Sequence, residues 1–251
     1  KGRNGLHHAA SHDGDKVIAH LRSVYNMDSK RQCHSGLLAI HHAVMKSAMV
    51  ALKSLVEHGD SYEELGNLGE QPIHFACMLG NMAIFRFLIA QGVNVRAANI
   101  KKQNCVFYAA FFSNIELLEI LLNEFKFDLL SLVDENKSTP LHCALNACTL
   151  KVVKFFCERG TSLTAINNKG QTPIDFAKEK LAKAEADNNE KAIDRLRPIV
   201  TYLERQAGVK HVFFRGTASI EEVLPIERLS EDEKRRAKAK RLAKESVINV
   251  D

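Results

Sequence analysis

The residues of this chain best suited to chemistry are its 11 histidines and 6 cysteines. Imidazole can move a proton or bind a metal, and a thiolate can attack or ligate. The cysteines are Cys33, Cys77, Cys105, Cys143, Cys148 and Cys157; none forms a Cys-x-x-Cys pair, and the nearest two are Cys143 and Cys148. A zinc site legible in sequence needs ligands at zinc-finger spacing, and no such spacing occurs, so no metal and no cofactor are expected. Most of the cysteines fall in apolar stretches, where a free thiol behaves as a small core residue. They read as reduced thiols of a protein inside a cell, in the cytoplasm or nucleus. The motifs of zinc proteases, serine hydrolases, phosphate loops and dinucleotide folds are all missing. This segment is therefore not read as an enzyme.

The histidines belong to a pattern. Asn4-Gly5-Leu6-His7-His8-Ala9-Ala10 is followed by Leu38-Ala39-Ile40-His41-His42-Ala43-Val44 and by Gln71-Pro72-Ile73-His74-Phe75-Ala76-Cys77. Then come Asn104-Cys105-Val106-Phe107-Tyr108-Ala109-Ala110, Thr139-Pro140-Leu141-His142-Cys143-Ala144-Leu145 and Thr172-Pro173-Ile174-Asp175-Phe176-Ala177-Lys178. The fourth position falls at residues 7, 41, 74, 107, 142 and 175, a period of 33 to 35. Pro at the second position suits a first helical turn, and the Thr before it can cap that turn. A second apolar run follows each motif with helical spacing, as in Ala51-Leu52 and Leu55-Val56, or Ile84-Phe85 and Leu88-Ile89. Gly59, Gly92 and Gly160 stand where a left-handed residue would end the second helix. A single helix pair cannot bury its apolar face, so the pairs must stack into one continuous core.

The period and the Thr-Pro-Leu-His-x-Ala core resemble the ankyrin repeat family, over residues 1 to about 180. The resemblance implies an all-α solenoid of helix-turn-helix units with short β-turn loops. Repeats are expected near 1–32, 33–65, 66–98, 99–133, 134–166 and 167–207, the last with an extended cap, and 208–251 as a C-terminal extension. It also implies that His7, His41, His74 and His142 tie their turns together by hydrogen bonds; His12 and His20 lie outside that slot. Repeat four departs from the pattern with Phe107 for the His, Phe125 at the closing position and extra residues around 126–130; repeat six has Asp175 for the His. Helices are expected over 178–189 and 190–206, with a kink or restart at Pro198. An extended stretch is expected over 208–229, and a last helix over 230–247.

Partners of the family dock on a concave side formed by loop tips and the exposed ends of the first helices. The aligned positions here are Ser11-His12, Met45-Lys46, Met78-Leu79, Phe111-Phe112 and Asn146-Ala147. Three consecutive units thus offer Met45, Met78, Leu79, Phe111 and Phe112, a row of the residue types that dominate interface cores. The adjoining loop tips carry His34, Asn67, Leu68, Glu70, Ile100, Lys101, Lys102 and Gln103. A protein or peptide partner is expected to seat an apolar anchor near Phe111 and Phe112, with acidic flanks against Lys101 and Lys102.

Lys234, Arg235, Arg236, Lys238, Lys240 and Arg241 read as a nuclear-import patch or as the solvated face of a capped helix. A net charge of +5 and the lack of aromatic residues beside this basic run disfavour nucleic acid. No apolar stretch reaches the ~20 residues of a membrane span. The chain opens on Lys1-Gly2-Arg3-Asn4, without initiator Met or signal-peptide core, and reads as a segment of a longer polypeptide. Two roles fit that segment: a scaffold or adaptor, or the recruiting arm of a larger enzyme such as a tankyrase-like ADP-ribosyltransferase, a kinase or a ubiquitin ligase.

Overall fold

The structure, a computed structural model, describes residues 2–213. These form 12 helices and, among the described residues, no strand. The chain divides into two compact units, Lys1–Gln206 and Ala207–Asp251. Helices alternate between a first and a second row. The first row is α1 (Gly5–Ser11), α3 (Ala39–Met45), α5 (Pro72–Leu79), α7 (Cys105–Phe111), α9 (Pro140–Ala147) and α11 (Pro173–Ala186). The second is α2 (Asp15–Ser23), α4 (Met49–Glu57), α6 (Met82–Ala90), α8 (Ile115–Asn123), α10 (Leu150–Glu158) and α12 (Glu190–Phe213). Each first-row helix packs on the next one, α1 on α3 through to α9 on α11. One hydrophobic cluster runs from Leu6 to Leu203, as stacking of incomplete units requires.

Sequence sets the ends of these helices. Pro72, Pro140 and Pro173 each occupy the first turn, where the missing N–H costs no hydrogen bond. Thr139 and Thr172 cap their helices by accepting from the backbone N–H three residues on, and Asn4 does the same for α1. Between the two helices of a unit the chain turns through a left-handed residue: Asp13, Ser47, Gly80, Ser113 and Cys148 in successive units. Only one of these is glycine, so the turn is invisible to a search for glycines. After the second helix, Gly59, Gly92 and Gly160 take positive φ as expected. In repeat four α8 ends in the same register, but Lys126 rather than Phe125 adopts the left-handed conformation, with φ 53°.

Two expectations are corrected. The last helix continues through Pro198 without a restart, and it extends to Phe213, so 208–213 are helical rather than extended. Expectations for 214–229 and 230–247 lie outside the described residues.

Candidate interaction surface

The first-row helices that carry the exposed row are fastened at their starts. His41 Nδ1 accepts from Leu38 N–H at 3.2 Å, and its Nε2–H donates to the Glu70 and Glu64 carbonyls at 2.9 and 3.1 Å. His74 accepts from Gln71 N–H and donates to the Ala97 carbonyl, both at 2.9 Å. His142 links Thr139 N–H to the Gln171 carbonyl at 3.2 and 3.1 Å. A carbonyl only accepts, so Nε2 carries the proton and the ring is neutral. Each of these rings thereby fastens the start of one first-row helix to the loop that leads into the next unit. Burial pushes His41 down to about 4 and moves His74 and His142 in the same direction, which protects that neutral form. In repeat four Phe107 is buried and carries no such latch. In repeat six Asp175 accepts from Thr172 N–H and Oγ1, which caps α11 but reaches no further loop.

The loop tips are joined one to the next by single backbone bonds. Asn67 N–H donates to the Gly36 carbonyl, Ile100 to Leu68, Glu135 to Lys101 and Asn168 to Asn136, at 2.8–3.0 Å. Within three of the tips one side chain organises the turn. Asn99, Asp134 and Asn167 each accept from the backbone N–H groups two and four residues ahead. These organising residues lie at a 33–35 residue spacing and could have been read from sequence; the motif histidines drew the eye instead.

On this frame Leu79, Phe111 and Phe112 are 44%, 43% and 48% exposed, and Ile100 at its loop tip is 63% exposed. The Phe111 and Phe112 rings lean on each other, with centroids 5.0 Å apart at 57°. Met45 and Met78 are only half-exposed and pack partly against the core, so they line the base of the row rather than its crest. Lys101 and Lys102 are exposed. Glu70 is not a free loop-tip charge: it is buried, and its carboxylate accepts from Leu68 N–H at 3.1 Å. The exposed end of α5 is fixed by Asn114, whose amide donates to the Cys77 and Met78 carbonyls at 2.8 Å. Asn114 comes this close because the residue facing it is Gly80, where an added Cβ would lie 2.8 Å from the Asn114 Oδ1. Polar residues close the row at both ends. Ser11 bonds back to the His7 carbonyl, and Asn146 accepts from Lys180 at 2.7 Å.

The structure also gathers residues that sequence spacing kept apart. His7, Cys33 and His42 are all buried, and one ligand-capable atom from each lies within 4.8 Å of the other two. They come from two units, so no short-range motif could announce them. His12 and His20 are exposed, and the His20 ring meets Tyr25. The basic run from Lys234 to Arg241 lies outside the described residues. No helix among the described residues is long and apolar enough to cross a membrane.

Comparison with known proteins agrees with this architecture. A family model described as ankyrin repeats (3 copies) matches residues 6–99 and 106–191. The chain is 21% identical over 190 residues to transient receptor potential cation channel subfamily A member 1 of Drosophila melanogaster, a match covering 70% of this chain and 16% of the channel. It is 28% identical over 107 residues to ankyrin repeat domain-containing protein 53 of Homo sapiens, covering 41% of this chain and 20% of that protein. With protein phosphatase 1 regulatory subunit 27 of Mus musculus the identity is 38% over 65 residues, 26% of this chain and 42% of the relative. The matches thus span from 16% to 42% of these relatives' own lengths. Among solved structures, a chain of the complex between the Bd0816 predatory endopeptidase of Bdellovibrio bacteriovorus and the immunity protein Bd3460 superposes with a TM-score of 0.56. That match is at 24% identity and covers 79% of this chain and 99% of the other, a likeness of fold.

Proposed function

Because this chain belongs to the ankyrin repeat family, whose repeats are protein-interaction modules, we propose that it grips a protein or peptide partner along its first-row helix ends and loop tips. The observation that carries the reading is the clustering of Leu79, Phe111 and Phe112 at the exposed ends of two neighbouring helices, α5 and α7. Large apolar side chains left half in water at adjoining positions gain free energy when a partner covers them. Lys101 and Lys102, exposed on the tip that leads into α7, favour acidic residues flanking the partner's apolar anchor. The partner is met inside the cell, in the cytoplasm or nucleus, and this segment contributes recognition rather than catalysis. That matches spread over only 16% of a channel and 20% of another ankyrin protein supports a second form of the same reading. In it, the segment recruits or regulates on behalf of a larger polypeptide.

Affinity capture with the chain and with a Phe111→Ala/Phe112→Ala double variant tests the assignment. Proteins held by the parent chain should be lost by the double variant while its circular dichroism and melting temperature stay close to the parent's. Equal capture by both chains would remove the surface from consideration.

A further inference from the structure

Charge is sorted between the two rows of helices. None of the first-row helices α1, α3, α5 and α7 contains an Asp or Glu, and neither do the loop tips 34–36, 67–69 and 100–102. Arg3, His12, His34, Lys46, Lys101 and Lys102 all stand exposed on that same face. The acids of these four units are turned elsewhere. Asp15, Glu57, Glu116 and Glu119 sit on second-row helices, and Glu64 pairs with Lys30. Asp13 and Glu70, next in sequence to α1 and to a tip, are both engaged. Asp13 accepts from Ala51 N–H at 2.7 Å, and the buried Glu70 accepts from Leu68 N–H. The sorting stops at unit five, where Glu135 is exposed at its tip, followed by Asp175 and Glu179 on α11. Among the described residues the ion-paired bases are Lys30, Arg86, Arg159, Lys178 and Arg197. Arg3, Lys46, Lys101 and Lys102 have no such counter-ion. Like charges gathered this way repel one another, and an acidic ligand removes that repulsion.

We propose that the partner segment is a peptide stretch with an acidic run on one side of its apolar anchor, which rests on the docking surface proposed above and adds the partner's chemistry and direction. The anchor covers Leu79, Phe111 and Phe112, and the acidic run lies over units one and two against Arg3, His12, His34 and Lys46. His12 and Lys46 hold the positions aligned with Leu79 and Phe112. The row is therefore one track, apolar at units three and four and basic at units one and two. The His34 ring packs over Gly2, whose φ of 77° and missing Cβ leave it that space, so the tip of unit two borders unit one. Neighbouring first-row helices pack on each other, and packed helices lie about 10 Å apart, the length of roughly three extended residues. An acidic run of about six residues thus crosses units one and two. The opposite direction is disfavoured, because Glu135, Asp175 and Glu179 would meet the run with like charge. Leu79, Met45 and Met78 offer a nucleobase no stacking plane, which favours a peptide over single-stranded nucleic acid.

The test is selection of a phage-displayed library of random peptides on the full chain, each about 16 residues long, enough to cross four units in extended form. The recovered peptides should carry a run of Asp or Glu beside an aromatic or aliphatic anchor. Labelled with fluorescein, they are titrated by anisotropy with the parent, Arg3→Glu/Lys46→Glu, Lys169→Glu and Phe111→Ala/Phe112→Ala. The charge reversal at units one and two should weaken binding about 10-fold or more, and Lys169→Glu at unit six by less than about 3-fold. Affinity for the parent should fall as NaCl rises from about 50 to about 500 mM. Circular dichroism and melting temperature establish that the variants fold, and Arg3→Gln/Lys46→Gln replaces a charge reversal that does not. Recovery of no peptide, of peptides without acids, or of acidic peptides indifferent to the charge reversal would overturn the inference. If such peptides still depend on Phe111 and Phe112, the docking surface stands and only its acidic occupant is lost; if they do not, both fall. A larger loss from Lys169→Glu than from the reversal at units one and two would contradict the assigned direction. Tighter binding of an oligouridylate than of any recovered peptide would overturn the choice of a peptide.

Discussion

Ser113 shows how much a single residue can carry in a repeat protein. It occupies the left-handed turn between α7 and α8 at φ 61°, and its hydroxyl is buried without a hydrogen-bond partner. A non-glycine residue in that conformation costs roughly 1 kcal/mol, and an unsatisfied buried hydroxyl costs roughly as much again. Ser113→Gly, which copies Gly80, should therefore stabilise the chain by about 1 kcal/mol after the extra freedom glycine gives the unfolded state. A urea midpoint that falls would contradict this. The reverse change, Gly80→Ala, meets both the left-handed penalty and the Asn114 amide, and should cost about 2 kcal/mol or more in the same measurement. At the surface, Phe111→Ala and Phe112→Ala should each weaken partner binding by about 2 kcal/mol, a hot-spot magnitude. Their effect on folding should be small, because both rings are more than two-fifths exposed. Residue types alone identified the row but not its relief. Met45 and Met78 turn inward because an unbranched thioether can follow the core, a choice made by packing and not by hydropathy.

At the scale of the element, the histidine latch makes stability depend on pH. His41, His74 and His142 accept a backbone N–H on Nδ1, and a protonated ring cannot accept. All three are shifted below their ordinary value in the folded chain, so below pH 6.5 the unfolded chain binds more protons. Stability should be fully present above 6.5 and fall as pH drops, until at about 4 the folded form of His41 titrates as well. Asp175 and Glu124 are held below the usual carboxylate range by their partners and lose their contribution at lower pH. Asp60, pushed up by burial, works in the opposite sense. Urea midpoints at pH 7.5 and pH 5 should therefore differ, the lower belonging to pH 5; equal midpoints would show that the latches contribute nothing. These elements were the most legible part of the sequence. Thr-Pro at positions 139–140 and 172–173 fixes helix starts by local chemistry alone, and six copies in register leave little choice of partner for each apolar face. Of the kink or restart expected at Pro198, the restart does not occur, because a proline forbids one hydrogen bond and neighbouring packing decides whether the helix survives the loss. Leu203, Ile199 and Leu196, all buried, give α12 that packing.

For the whole molecule, stacking makes neighbours responsible for each other. Each latch reaches one unit ahead, so unit four, with Phe107 in place of a histidine, is joined to unit five without one. In a quasi-one-dimensional array, stability is a sum of unit and interface contributions, and the interface lacking a bond is the natural place for the array to open. The loop-tip bonds from Gly36 to Asn168 hold the same register in the loops that the latches reach. The His7–Cys33–His42 cluster was illegible in sequence for the same reason that the repeats were legible: stacking brings together residues one period apart, and motif searches look within a period. The apolar row between Leu79 and Phe112 likewise exists only once adjacent units are stacked. The most direct test is hydrogen–deuterium exchange of the chain with and without a captured partner. Protection is expected over the ends of α5 and α7 and the tip around Ile100, Lys101 and Lys102. Protection confined to the second-row helices α4, α6 and α8 would show that the partner binds the other face and that the exposed aromatic row serves no recognition.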